Sequence, residues 1–497
     1  EADLLALGVP EEWLQSVKDA TEDTLLEIAD HLPAEAAEAL LELATDGVPR
    51  LQLLHVAEAR VSYQRDIVGS FDHPDAQRRF RLINTPEELE RALEFPWDKW
   101  TIFLHPAQRE SVEAHYGGPA RVSGSAGTGK TVVALHRAAF LARTNPDARV
   151  LLTTFSEALA NSLRTMLRRL IGNEPRLGER IEVHALNSIA RRLYELNIAR
   201  PVIATTKQLG ELLAKSAAEN GGQKFAKRFL LSEWDQVVDA WQIDSWETYR
   251  DVARLGRKTR LPEKQREILW KIFSVVRGEL QSKGVMTEAS LLSRLAEHNV
   301  RSESRPFDFI VVDESQDLSV AQLRFVASLG NARPHSLFFT GDLGQRIFQQ
   351  PFSWKSLGVD IRGRSRTLRV NYRTSHQIRS QADRLLGPQV SDVDENVEDR
   401  RGTVSVFNGP PPLVQAYKDE SQEIESVANW LRERIKEGVA PHEIGVFVRS
   451  EVQLHRADSA VTSAGLKFTV LHQNVETRSG TVSISTMHLA KGLEFRA

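Results

Sequence analysis

Cysteine is absent from the 497 residues. Over this length that excludes disulfides, thiol nucleophiles and cysteine-ligated zinc or iron–sulfur centres, and it suits a reducing, cytoplasmic setting. No run of 18 apolar residues occurs, so no helix drawn from the sequence spans a bilayer and no membrane partner is expected. No secretory leader is legible, and the first residue is Glu1 rather than Met, as in a piece of a longer chain. A strong charge of one sign is also lacking. Lys and Arg number 64 against 67 Asp and Glu, a net charge of −3, which neither demands nor forbids a polyanionic partner. What remains is ordinary globular composition, 41% hydrophobic and 26% charged, at a length that suits about three domains.

The most informative stretch is Gly124-Ser125-Ala126-Gly127-Thr128-Gly129-Lys130-Thr131, a complete G-x-x-x-x-G-K-[ST] phosphate loop. An apolar strand pattern precedes it, and helical spacing of Val132, Val133, Leu135, Ala138 and Ala139 follows. Glycines let the backbone turn its N–H groups toward an anion, and the helix N-terminus adds partial positive charge. Lys130 is expected to reach the β- and γ-phosphates of a nucleotide, and Thr131 to hold Mg²⁺. Downstream, Phe309-Ile310-Val311-Val312 reads as an apolar strand that ends in Asp313 and Glu314. Two adjacent acids at a buried strand end are costly unless a cation or a reaction uses them. Asp313 is placed to hold Mg²⁺ and Glu314 to take a proton from an attacking water.

Along the chain, residues 1–46 contain thirteen acidic residues and one basic residue, Lys18, on helical spacing. They read as a small acidic helical module, either a packing appendage or a docking site for a protein partner. Gln108, 22 residues before Lys130, offers both a donor and an acceptor, as an adenine edge requires. After the loop helix, residues 149–155 read as a buried strand, and strand–helix–strand alternation implies a parallel sheet with its sites at the strand C-termini. A basic run follows (Arg164, Arg168, Arg169, Arg176, Arg180, Arg191, Arg192), then a mostly helical stretch over 205–300 with a second basic cluster between Arg254 and Arg266. Either run is a solvated face or a track for a nucleic-acid backbone. A strand over 336–340 leads to Gln345. Trp354 lies in an aromatic segment, and Tyr372 and Arg373 lie in an arginine-rich one. Residues 388–402 read as a surface loop. Strands at 404–407, 444–449, 468–471 and 482–486 and helices at 421–436 and 452–464 then form a second α/β domain.

Taken together, the segments 104–110, 124–131, 153–156, 311–317, 341–345, 371–374 and 484–495 (the last reading ISTMHLAKGLEF) resemble the UvrD/Rep-like family of superfamily 1 DNA helicases. The resemblance covers roughly residues 100–497. It implies an α/β fold of two RecA-like P-loop domains with parallel sheets, a helical insertion in the first, and the acidic module in front. The expected boundaries are 1–95 for the module and linker, 96–200 with 301–365 for the first domain, 201–300 for the insertion, and 366–497 for a truncated second domain. The family's activity is ATP-driven translocation on single-stranded DNA and unwinding of tailed duplexes, 3′ to 5′, with ATP and Mg²⁺. By resemblance, Gln108 contacts adenine and Tyr372 stacks on it. Gly124, Ser125, Ala126, Gly127, Thr128, Gly129, Lys130, Thr131, Asp313 and Glu314 bind and hydrolyse MgATP. Gln345 senses the γ-phosphate, Arg373 acts on it from the second domain, and Gly492 and Glu494 lie near the nucleotide. Phe155, His184, Trp354 and His488 face DNA.

Departures from the family pattern are also legible. The family's second γ-phosphate arginine lies C-terminal of the 484–495 motif, and the sequence ends at Ala497 before it, which leaves hydrolysis by these residues alone open. The large helical insertion usual before that motif is absent or minimal, with about 20 residues between Ala464 and Ile484. His184 is flanked by Val183 and Ala185 instead of hydroxyls, and Val132 stands where an arginine often follows Lys-Thr. These differences keep two alternatives in view: a nucleic-acid-dependent ATPase that remodels or displaces proteins without processive unwinding, and a nucleotide-gated DNA-binding module.

Overall fold

In the computed structural model, the residues described are 14–18, 20 and 104–497, apart from 173, 253–260, 303–304, 331–332, 347–350, 388, 407, 472–478, 488–489, 491–492 and 494. The chain divides into Glu1–Leu82 and Ile83–Ala497. In the first unit the described residues form one short helix, Leu14–Lys18. The rest of the expected acidic module lies outside the described residues, as do 254–260 of the second basic cluster.

The second unit opens with α1 (Pro106–Glu113), β1 (Ala120–Gly124), α2 (Lys130–Thr144), β2 (Val150–Thr154), α3 (Glu157–Ile171), β3 (Ile181–Ala185) and α4 (Leu186–Asn197). Helices α5 (Thr206–Glu219), α6 (Lys227–Glu233), α7 (Trp246–Asp251), α8 (Glu263–Ser282) and α9 (Glu288–Arg301) come next, then β4 (Phe309–Val312), α10 (Val320–Gly330), β5 (Leu337–Gly341) and β6 (Ser365–Leu368). The six strands form one parallel sheet in the order β3-β2-β4-β5-β1-β6. This mixed α/β architecture with one six-stranded parallel sheet fits the RecA-like fold expected for the first domain.

Why these residues make that sheet follows from burial on both faces. Strands covered on both sides read as near-continuous apolar runs. Val150, Leu152, Val311 and Phe338 pack on one face with α2 and α3, whereas Leu151, Ile310, Val312 and Phe339 pack on the other with α4, α9 and α10. Helix starts are set by side-chain caps. Ser156 Oγ accepts from Leu159 N ahead of α3, and Thr205 with Gln208 forms a capping box ahead of α5. Helices α5, α6 and α8 enclose a separate apolar cluster around Trp234, Tyr249, Ile272 and Phe273.

Beyond β6 come β7 (Val370–Asn371), α11 (His376–Asp383), β8 (Gln389–Ser391), β9 (Val397–Asp399), β10 (Val404–Ser405), α12 (Glu420–Lys436), β11 (Gly445–Val448), α13 (Leu454–Ser463), β12 (Phe468–Val470) and β13 (Val482–Thr486). The last three strands form a parallel sheet, β11-β13-β12, over Leu431, Ile444, Val461 and Ile484. One expectation is corrected here. Residues 389–399 are an antiparallel hairpin, not a loop. Asp392 organises its turn: Oδ1 accepts from the backbone N–H of Asp394 (3.0 Å) and Asn396 (2.9 Å), and Glu395 takes the left-handed conformation at φ 62°. An acidic Asp-x-x-x-Asn run reads as solvated loop by composition, yet its side chains close the turn.

Candidate functional site

Parallel strands deliver their C-terminal ends to one rim, where α/β sites form. β1 ends at Gly124, β4 leads into Asp313, and β5 ends at Gly341. The phosphate loop runs from β1 into α2 with Gly127 at φ 83° and Gly129 at φ 80°. Space as well as dihedral demands glycine here. A Cβ on Gly127 would lie 2.3 Å from Asn371 Oδ1, and one on Gly129 2.3 Å from Gln108 Nε2. Gly129 is the N-cap of α2 and supplies no capping side chain, so the first N–H groups of α2 lack intrahelical acceptors and point into the loop.

Lys130 is buried, and its Nζ donates to the carbonyls of Gly124 (2.8 Å) and Ser125 (3.0 Å). Thr131 Oγ1 donates to Asp313 Oδ2 (2.8 Å), and Thr340 Oγ1 donates to Asp313 Oδ1 (2.6 Å). Burial, with Glu314 adjacent, pushes the Asp313 carboxyl up to about 6, against the pull of both hydroxyls. Glu314 is half-buried and left-handed at φ 54°, a conformation that costs a non-glycine residue about 1 kcal/mol. It is fixed by Gln316, whose Nε2 donates to Glu314 Oε2 (2.5 Å) while its Oε1 accepts from Asp342 N (3.0 Å).

Gln108 sits at the third position of α1, 5% exposed. Its Oε1 accepts from His105 N (3.0 Å) and its Nε2 donates to Thr128 O (3.0 Å), so the amide braces the phosphate loop. His105 Nδ1 accepts from Ala107 N, and burial pushes its imidazole below the usual value. The His105 ring lies 5.5 Å from that of Tyr372. Tyr372 donates its N–H to Gly127 O (3.0 Å), and its buried hydroxyl has no hydrogen-bond partner among the described residues. Asn371 is fully buried: Nδ2 donates to Ala126 O, and Oδ1 accepts from the N–H groups of Arg373 and Thr374, all at 2.9 Å. The turn that carries Arg373 is thus bolted to the loop. Gln345 Nε2 donates to Asp342 Oδ2 (2.8 Å).

Gln108, the loop, Asp313, Glu314, Tyr372 and Arg373 are therefore gathered along one rim, with Gln345 tied in through Asp342 and Gln316. Phe155 follows β2, and His184 lies on the neighbouring β3, where it pairs with Thr153 and its Nε2 is 3.3 Å from Glu182 Oε2. Trp354 packs edge-on against Phe339, centroids 4.9 Å apart, and lines a small cavity with Arg121, Asp342 and Glu398. Gly492, Glu494 and His488 lie outside the described residues. Sequence reasoning gave no role to His105, Gln316, Thr340, Asn371 or Arg400. The one local signal was a polar residue inside an otherwise buried segment, such as Arg121 in β1. Among the described residues no cluster of three or more His, Asp or Glu could hold a metal ion. That is ordinary for a P-loop, where one hydroxyl, one carboxylate and the substrate's phosphates share Mg²⁺. No helix of the described residues is long and apolar enough to cross a membrane.

Residues 104–350 match the UvrD/REP helicase N-terminal domain. The chain is UvrD/Rep-like. A Bacillus subtilis protein provisionally named ATP-dependent DNA helicase YjcD is 26% identical over 351 residues, 67% of this chain and 44% of that protein. ATP-dependent DNA helicase UvrD2 of Mycobacterium tuberculosis is 25% identical over 401 residues, 74% of this chain and 55% of its own. ATP-dependent DNA helicase PcrA of Staphylococcus epidermidis is 22% identical over 392 residues, 74% and 51% respectively. The UvrD/Rep-like chain thus spans about half the length of the curated relatives it matches.

Proposed function

We propose that the protein is an ATP-dependent motor on single-stranded DNA, a translocase and helicase of 3′-to-5′ direction. It would work by closing two RecA-like lobes, the second formed by residues 366–497. The observation that carries this reading is that the Asn371–Arg373 turn meets the phosphate loop at Gly127, while Thr131 at the end of that loop binds Asp313. A glycine cradle that any Cβ would fill, with a buried carboxyl pushed up to about 6 beside a hydroxyl, fits a MgATP site. Thr131 and Asp313 would hold the ion, which neutralises charge on the β- and γ-phosphates when bound. Lys130 exchanges its loop carbonyls for phosphate oxygens. Glu314 accepts the proton of the attacking water, and Gln345 orients toward the γ-phosphate. Arg373, carried by a turn bonded to the loop, stabilises the charge that develops there, as an arginine supplied in cis does. The ring of Tyr372, beside His105, offers an adenine a stacking face, and Gln108 its amide. Phe155 and His184 at the ends of adjacent strands, with Trp354 and His488, are assigned to the DNA strand.

The test is ATP hydrolysis with and without single-stranded DNA, followed by strand displacement on 3′- and 5′-tailed duplexes. The expected results are DNA-stimulated hydrolysis, displacement from 3′ tails only, and loss of turnover in Lys130→Ala. Hydrolysis indifferent to every nucleic acid would end the motor reading. Stimulation without displacement would favour a protein-remodelling ATPase.

A further inference from the structure

We propose that Arg400 is a positioning residue that holds Gln345 in register with α11, the helix that follows Arg373. The proposal rests on the ATPase reading for the roles of Gln345 and Arg373, while its geometry stands on the structure alone. The centre is Asp342, 1% exposed at the end of β5. Its Oδ2 accepts from Gln345 Nε2 (2.8 Å), and its Oδ1 accepts from Gly344 N (2.9 Å) and Arg400 Nη1 (3.0 Å). The other arm of the same guanidinium donates to Asp383 Oδ1 (3.2 Å), on the last residue of α11. The Arg400 side chain is only 10% exposed.

The hairpin that carries Arg400 grips the same loop a second time. Glu398, 1% exposed on β9, accepts from Leu343 N (3.3 Å). Asp392 in the hairpin turn pairs with Arg121 of β1 (3.4 Å), both side chains under 10% exposed. The loop 342–345 is therefore held from outside the sheet by a charged strap.

Arginine is the residue type such a link requires. Its planar fork reaches two carboxylates at fixed spacing and never loses its charge, whereas a lysine is a point charge that satisfies one. There is no slack in the contact, because a Cβ on Gly344 would lie 2.7 Å from Arg400 Nη1. The resulting chain is Gln345–Asp342–Arg400–Asp383. Helix α11 starts two residues after Thr374, so a shift of the Arg373 turn that carries α11 pulls on Asp342 through Arg400. The γ-phosphate-sensing amide and the arginine finger are thereby set together.

The experiment compares Arg400→Gln and Arg400→Lys in the full 497-residue chain, alone and with Gln345→Ala. Amide hydrogen exchange reads the link directly. In Arg400→Gln, Gly344 exchanges at least tenfold faster while Val133 stays within twofold of wild type, which controls for global unfolding. Unchanged Gly344 exchange overturns the proposal, whether or not the chain hydrolyses ATP. In steady state, Arg400→Gln lowers kcat about tenfold with KM within twofold, and adds less than a further twofold loss on Gln345→Ala. An equal further loss on Gln345→Ala shows a merely structural role and overturns it. Arg400→Lys restores Gly344 protection but not kcat; full recovery of kcat overturns the link to α11. A wild-type chain that fails to hydrolyse ATP counts against the ATPase reading alone, because the exchange arm still decides the link.

Discussion

Two stretches meet at Gly127, and they are held in different ways. Residues 120–131 and 309–317 hang from strands buried on both faces, and every residue of β1 is buried. Residues 370–400 have little such support: α11 and β8 contain no buried residue, and in β9 only Glu398 is buried. Their position comes from discrete polar contacts, Asn371 on Ala126, Arg400 on Asp342 and Asp392 on Arg121. On the first side the sheet sets the shape, so losing a side chain removes chemistry and little else. On the second side the side chains set the shape, so losing one moves the wall. A wall held by a few replaceable bonds is also the one that can move at low cost.

The sharpest separation is Glu314→Gln. It removes the proton acceptor and leaves the backbone and the β4 anchor intact. Turnover should fall about 10³-fold, within the range for loss of a general base, with nucleotide affinity within a few-fold and unfolding free energy within about 0.5 kcal/mol. Rapid-quench hydrolysis, nucleotide titration and urea melts measure the three. A loss of stability as large as the loss of turnover would break the contrast.

Asn371→Ala is the converse. It deletes three hydrogen bonds at a fully buried position and leaves Ala126 O, Arg373 N and Thr374 N without that partner. Stability should fall by about 2 kcal/mol, and turnover by roughly 30-fold as Arg373 loses its bearing on the loop, an effect of about 2 kcal/mol. Wild-type turnover in this variant would mean that the turn is held by something other than Asn371.

Gly129→Ala asks whether the sheet-held side resists an insult to its backbone. The left-handed φ of 80° costs about 1–2 kcal/mol for alanine, and the new methyl meets Gln108 Nε2. Nucleotide affinity should weaken about tenfold, equivalent to roughly 1.4 kcal/mol. Because the methyl displaces the Gln108 amide, part of the stability that Gly129→Ala costs in urea melts should be recovered when it is measured against a Gln108→Ala background. No recovery would assign the whole effect to the dihedral.

Much of this was legible beforehand, unevenly and for physical reasons. The phosphate loop, β4 with Asp313, and the strand–helix alternation announce themselves because local spacing and burial coincide there. The hairpin at 389–399 does not, because its strands are three residues each and its stabilising acids look like solvated loop. Nor does the double use of the Gln108 amide. A glutamine's donor and acceptor are visible in sequence, but their occupation by His105 N and Thr128 O is a product of packing. The roles of Arg121, Glu398 and Arg400 depend on contacts between residues up to 271 positions apart, which no local pattern encodes.

The smallest expected effect on turnover comes from a carboxylate away from both walls. Asp239, among the helices over 205–300, is half-buried and, like Asp313, bound by a threonine, with Thr287 Oγ1 donating to its Oδ1 (2.7 Å). Burial pushes its carboxyl up to about 6. Asp235 adds to that push, and Thr287, Gln242 and Arg277 oppose it. Because the folded value lies above the unfolded one, the native state binds more protons between the two. Stability is then greatest below the unfolded value of 3.8 and falls as pH rises through about 6. Asp239→Asn lacks that fall and should gain about 2 kcal/mol on the wild type between pH 4.5 and 7.5 in urea melts, with hydrolysis within twofold at either pH. A threonine-bound aspartate with a raised carboxyl is thus no mark of catalysis by itself. What distinguishes Asp313 is that its threonine opens α2 beside a cradle of left-handed glycines, and a turnover defect in Asp239→Asn would remove that distinction.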